Sequence, residues 1–125
     1  MRYLTKSRFR LGIDCPSKLY YTKKENLYAN TKDLDTFMQA LASGGFQVEE
    51  LARLHYPGGT LIEDDRSSKN YYSNALDSTI RALNKSDDAV IYEAAFSYEK
   101  LFIRTDILVK KGNDVQLIEV KSRSF

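Results

Sequence analysis

A chain of 125 residues suits one domain, and 42% apolar residues are enough to fill one ordinary core. The net charge of +2 is too small to argue for a polyanionic partner by itself. The single cysteine, Cys15, excludes an internal disulfide; no stretch reads as a leader and no apolar run reaches membrane-spanning length, so a reducing cytoplasm is the expected setting.

Charge is unevenly spread. Residues 1–30 carry seven Lys/Arg against two Asp/Glu, a basic arm able either to follow a polyanion or to serve as a solvated face. Residues 5–13 and 16–23 read as short helices separated at Cys15-Pro16, because proline is comfortable in a helix's first turn. Thr31 and Asp33 are plausible caps for the next helix. Leu34, Phe37, Met38, Leu41, Val48, Leu51 and Ala52 then keep helical spacing across Gly44-Gly45. That predicts one helix over about 33–55, weakened or kinked at the glycines and ended by Pro57-Gly58-Gly59.

Thr60-Leu61-Ile62 reads as a short strand and 63–67 as polar loop. Ser67 or Ser68 caps a further helix, with Tyr72, Ala75, Leu76, Thr79, Ile80 and Leu83 on one face. From Ala89 the pattern is extended, with strands expected at 89–97, 101–110 and 115–122. Helices followed by an antiparallel three-strand meander make an α+β or mixed α/β domain. Nine tyrosines suit half-buried positions, or stacking on bases.

Lys111-Gly112-Asn113-Asp114 is the sharpest local signal, since Gly-Asn between strand-like runs fits a two-residue hairpin loop. That loop sets Asp106 opposite Glu119 and Arg104 opposite Lys121, with facing Cβ atoms about 5 Å apart. A second two-residue loop at Glu99-Lys100, with weaker turn chemistry, sets Glu93 opposite Asp106. Three carboxylates in one row repel one another unless they share protons or a cation. Clustered carboxylate oxygens suit Mg²⁺ or Mn²⁺. Lys121, two residues from Glu119, projects from the same face. The competing reading is a solvated face on which Arg104 and Lys121 neutralise the acids. Ile103, Ile107, Val109, Ile118 and Val120 fall on the opposite face and read as core.

Asp106, twelve intervening residues and then Glu119-Val120-Lys121-Ser122 resemble the PD-(D/E)XK nuclease superfamily. The likeness is to the branch of exonuclease V (RecB-type) nuclease domains and CRISPR-associated adaptation nucleases. Leu4 to Phe9 and then Cys15-Pro16-Ser17-Lys18-Leu19-Tyr20 look like that branch's entry. The stretch from Gly45 through Tyr56-Pro57-Gly58-Gly59 resembles uncharacterised bacterial members of it. The resemblance implies a restriction-endonuclease-like core and a Mg²⁺- or Mn²⁺-dependent deoxyribonuclease. In it Asp106, Glu119 and the Val120 carbonyl would bind the metal, and Lys121 would assist the attacking water. Glu93 matches an acid near the site, a less sure direct ligand.

The chain also departs from that pattern. Thr105 replaces the motif's proline. Where many relatives carry a metal-binding histidine, four residues after a helix glycine, this chain has Glu49, either an oxygen ligand or a helix-surface acid. His55, the only histidine, reads as a helix-end residue. Cys15 alone cannot support an iron–sulfur cluster, which needs four thiolates, so it reads as a half-buried structural cysteine. Relatives continue beyond the catalytic strand, so this chain is expected to be the N-terminal part of such a domain, completed by a further C-terminal region or by a second copy. The expected partner is nucleic acid, DNA first, met by Lys6, Arg8, Arg10 and Lys18. An inactive nucleic-acid-binding or assembly module is the alternative.

Overall fold

The computed structural model describes residues 2–24, 26–27 and 36–122. It is an α+β fold with mixed sheets. In chain order the elements are β1 (Leu4–Thr5), α1 (Lys6–Asp14), α2 (Pro16–Tyr21), α3 (Thr36–Leu54), β2 (Thr60–Leu61), α4 (Tyr71–Asn84), β3 (Asp88–Tyr92), β4 (Ala95–Tyr98), β5 (Leu101–Arg104), β6 (Ile107–Lys111) and β7 (Asp114–Ile118). None of the described helices is long and apolar enough to cross a membrane.

Thr5 ends β1 and caps α1, its hydroxyl accepting from the Arg8 N–H at 3.4 Å. Pro16 opens α2, with half-buried Cys15 at the junction. Helix α3 runs unbroken through Gly44-Gly45, where a kink was expected; its expected caps, Thr31 and Asp33, lie outside the described residues. Helix α4 starts at Tyr71 instead of after Ser67 or Ser68, because those serines are spent in turns: Asp65 accepts from the Ser67 N–H and Ser68 from the Asn70 N–H. On α4 Ala75 and Thr79 are buried, but Ile80, expected in the core, is 55% exposed.

Both hairpin registers follow the sequence arithmetic. Lys111 pairs with Asp114 and Ile107 with Ile118; Tyr98 pairs with Leu101, and Asp88 with Lys111. The two long strands are nevertheless each interrupted. Glu93 takes a positive φ of 58°, a conformation costing a side-chain-bearing residue about 1–2 kcal/mol. Two backbone hydrogen bonds carry the register across the break, Glu93 N–H to Asp106 O at 3.0 Å and Thr105 N–H to Ala94 O at 2.9 Å. The result is two sheets, β1-β5-β4 and β2-β3-β6-β7, with parallel pairings β1–β5 and β2–β3 that the periodicity did not disclose.

The break also corrects the expected core face. Ala94 and Ala95 are consecutive and both buried, as are Ile107 and Leu108, so strict alternation fails on either side of it. The core is Ile91, Phe102 and Leu108 with Ile62, Ala75, Ala94 and Ala95. Ile103 is 43% exposed, and Ile107 is buried outside that cluster; Val109, Ile118 and Val120 are only half-buried. Helix α4 closes over β3 and β4, and the Thr79 hydroxyl joins them by accepting from Ala95 N–H at 2.9 Å while donating to Ala75 O. Half-buried Tyr3 and Tyr72 stack around Phe102, with ring centroids 4.8–5.6 Å apart, so these tyrosines pack.

Tyr92 fixes the end of α3 to the sheet. Its hydroxyl donates to Tyr56 O and accepts from the Gly59 N–H at 3.2 Å. A Cβ on Gly59 would lie 2.2 Å from the Tyr92 ring, whereas one on Gly44 would meet open space. Gly59→Ala should therefore lower stability by about 1–3 kcal/mol, and Gly44→Ala should raise it by about 1 kcal/mol, both read from urea unfolding midpoints.

Candidate functional site

Three of the sequence-picked acids gather around the break, but each has its own partners. Glu93 receives Arg104 at 3.0 Å and Arg53 at 3.4 Å. Asp106 accepts the Val120 N–H at 2.7 Å. Glu119 is paired with Lys121 at 2.7 Å and with Lys6. The β6–β7 ladder ends at Ile107–Ile118, so the expected Asp106–Glu119 and Arg104–Lys121 ladder pairs are not formed. Instead the Asp106 carboxylate replaces a backbone acceptor and holds Val120 beside it, which leaves residues 119–122 irregular.

Arg104 is the hub of the break. Its side chain, 15% exposed, donates to Ile62 O, to Glu93 O at 3.2 Å, to Asp64 Oδ1 at 3.2 Å and to the Tyr71 hydroxyl at 3.1 Å. The loop after β2, the start of α4 and the Glu93 turn all converge on one guanidinium. Opposite Arg104 in the ladder is Ala95. The neutralisation expected in the solvated-face reading is therefore present at both cations, Arg104 on Glu93 and Lys121 on Glu119, although Arg104 is largely enclosed.

Glu49 faces this region from α3. Burial first, then the charges of Asp106 and Glu93, push its carboxyl pKa up, with Arg53 and Lys121 opposing. Glu49 is half-buried on α3, with the charges of Asp106, Glu93, Arg53 and Lys121 acting on it. The hydrogen bond from Lys121, then that from Lys6, holds the Glu119 carboxyl below the usual glutamate range. The same contact pushes Lys121 up. Lys121 is consequently a cation able to orient or stabilise negative charge, and an unsuitable general base.

With side chains so engaged, no three of the described Asp, Glu, His or Cys residues stand ready to hold a metal ion. The donor chemistry still suits a hard cation: the Asp106 and Glu49 carboxylates and the adjacent Val120 carbonyl are all oxygen donors. Both lysines of Glu119 bond one oxygen, Oε1, so its charge is already shared with two ammonium groups, and both oxygens of Glu93 are committed to guanidiniums. His55 is exposed just past the end of α3.

Next to the acids lies a groove of about 810 Å³. Lys6, Arg8, Arg10, Lys23, Arg66, Lys69 and Arg104 line it, without a single Asp or Glu among its lining residues. It meets the acid row at Lys6, which pairs with Glu119, and at Arg10, whose charge acts on Lys121. Of the arm residues picked from sequence, Lys6, Arg8 and Arg10 come together here; Lys18 does not line the groove. Sequence reasoning missed Lys23, Arg66 and Lys69, which the fold brings in from a turn and a polar loop. It also missed Arg53, although its spacing of four from Glu49 on one helix was a readable signal.

The chain matches no known family model, no curated protein and no solved structure. The site therefore stands on its own chemistry.

Two outcomes follow from the geometry. Glu93→Ala leaves Arg104 without its closest carboxylate and should cost about 2 kcal/mol in urea unfolding, somewhat less than a fully buried pair. Glu49 has a folded-state pKa raised above its unfolded value. Its protonation-linked stability is therefore present below the unfolded pKa and lost as pH rises through the folded one. Glu49→Gln should thus raise the unfolding midpoint near neutral pH, an advantage that vanishes under acid conditions.

Proposed function

We propose that this chain carries the active site of a metal-dependent nuclease acting on DNA, of the PD-(D/E)XK kind. The observation that carries this reading is the meeting of two features at one place. The charges of Asp106 and Glu93 act on Glu49 at the strand break, and a groove whose charged lining residues are all cations opens beside it. Phosphodiester cleavage needs this pairing, a cationic track for the backbone phosphates and oxygen donors at the scissile bond.

In this reading Asp106, Glu119, the Val120 carbonyl and Glu49 hold Mg²⁺ or Mn²⁺, while Glu93 braces the turn through Arg53 and Arg104. The bound ion supplies Lewis acidity and a more acidic water. Lys121, kept protonated, stabilises the charge that builds on the phosphate. Lys6, which lines the groove with Arg8 and Arg10, would contact the phosphates beside them.

A second reading is supported by the same ion pairs. With Glu119 tied to Lys6 and Lys121, and no ready three-acid group among the described residues, the chain would bind nucleic acid without cutting it. Plasmid nicking with Mn²⁺ separates the two. The nuclease reading expects metal-dependent nicking that falls at least about 100-fold in Lys121→Ala and is lost in Asp106→Ala, with DNA affinity kept in both. DNA binding with no nicking at millimolar Mn²⁺ selects the binding module instead.

A further inference from the structure

Strand β7 has a partner on one side only. It pairs with β6, and among the described residues no strand pairs with its outer edge. Exposed strand edges are commonly guarded by lysine, proline or a bulge. Asp-Val-Gln-Leu-Ile carries none of these, and Val115 and Leu117 are 56% and 58% exposed. In a two-residue hairpin the loop-flanking pair, Lys111 and Asp114, exchanges both backbone hydrogen bonds. Asp114, Gln116 and Ile118 thus turn their backbone groups towards β6, and Val115 and Leu117 turn theirs outward.

We infer that β7 is a dimerisation edge, pairing antiparallel with β7 of a second copy about a two-fold axis through Gln116. This register is selected by the strand itself. It sets Val115 against the partner's Leu117 and Leu117 against the partner's Val115, so the outward-facing residues pair with each other and exchange four hydrogen bonds. Both apolar side chains fall on one sheet face, next to Leu108 and Lys110 of β6. Four aliphatic side chains then make a patch continuous with core residue Leu108. On the other face the two Gln116 amides meet, each able to donate to and accept from its twin. No like charges face each other within the five-residue ladder: Asp114 meets the partner's Ile118. The two four-stranded sheets join into one of eight, and each partner's Gly112-Asn113 turn comes to lie beside Glu119 of its neighbour. The inference is independent of what the acid row does.

Sedimentation velocity of the full chain tests it, from about 1 µM to about 1 mM, the range in which small interfaces dissociate. Wild type should pass from monomer to dimer with concentration. Val115→Pro removes only an outward N–H, which an edge strand tolerates, and should weaken dimerisation at least tenfold. Leu117→Lys, at an exposed side chain, should do the same and keeps the test valid should the proline disturb the hairpin. Ile80→Lys, an exposed apolar site on α4, should change nothing. A monomer at every concentration overturns the inference, as does a dimer that withstands both edge variants or one that Ile80→Lys weakens equally.

Discussion

One guanidinium organises the polar centre of this molecule. Arg104 reaches a backbone carbonyl after β2, a hydroxyl at the start of α4, and both the carbonyl and carboxylate of Glu93. An arginine so enclosed must have its donors satisfied, because leaving a buried charge unpaired costs several kcal/mol. The surroundings accordingly bring their oxygens to it. Glu93 sits at positive φ so that both of its oxygen groups can serve Arg104. The strain of about 1–2 kcal/mol in that turn is offset by the charged hydrogen bonds it permits.

The interruption in the sheet follows from the same turn. Where Glu93 leaves strand geometry, the two long strands split, and the side chains beyond it change faces. Asp106 is released from the ladder and uses its carboxylate to hold the Val120 N–H. Tyr92, the residue before the turn, clamps the end of α3, and α3 brings Glu49 to the acids. An ordinary antiparallel hairpin would have kept Asp106 as one more alternating residue. A broken one makes it the meeting point of a helix, a strand end and an irregular segment. In the proposed nuclease, that meeting point is the reaction centre.

The sequence was informative where one short-range rule acted alone. Gly112-Asn113 in a two-residue loop set the register of β6 and β7, and the same counting from Glu99-Lys100 set that of β4 and β5. The facing of Glu93 and Asp106 followed from it, down to the hydrogen bond between their backbones. Burial was less legible, because alternation assumes an unbroken strand. Ile103, expected in the core, is exposed and its neighbour Phe102 is buried instead, and no local signal marks a non-glycine residue for positive φ. The groove was half legible. Lys6, Arg8 and Arg10 lie on one short helix, but Arg66 and Lys69 join them only through tertiary folding. Nor could spacing tell that Lys6 would pair with Glu119, 113 positions away.

The central claim is that the Glu49, Asp106 and Val120 oxygens form a cation site at the strand break. Paramagnetic broadening by substoichiometric Mn²⁺ in amide NMR spectra addresses it most directly. The account predicts that the amides of Glu49, Asp106 and Val120 broaden first and that Asp106→Asn abolishes the effect. Uniform broadening, or broadening of these amides that Asp106→Asn leaves unchanged, would contradict it.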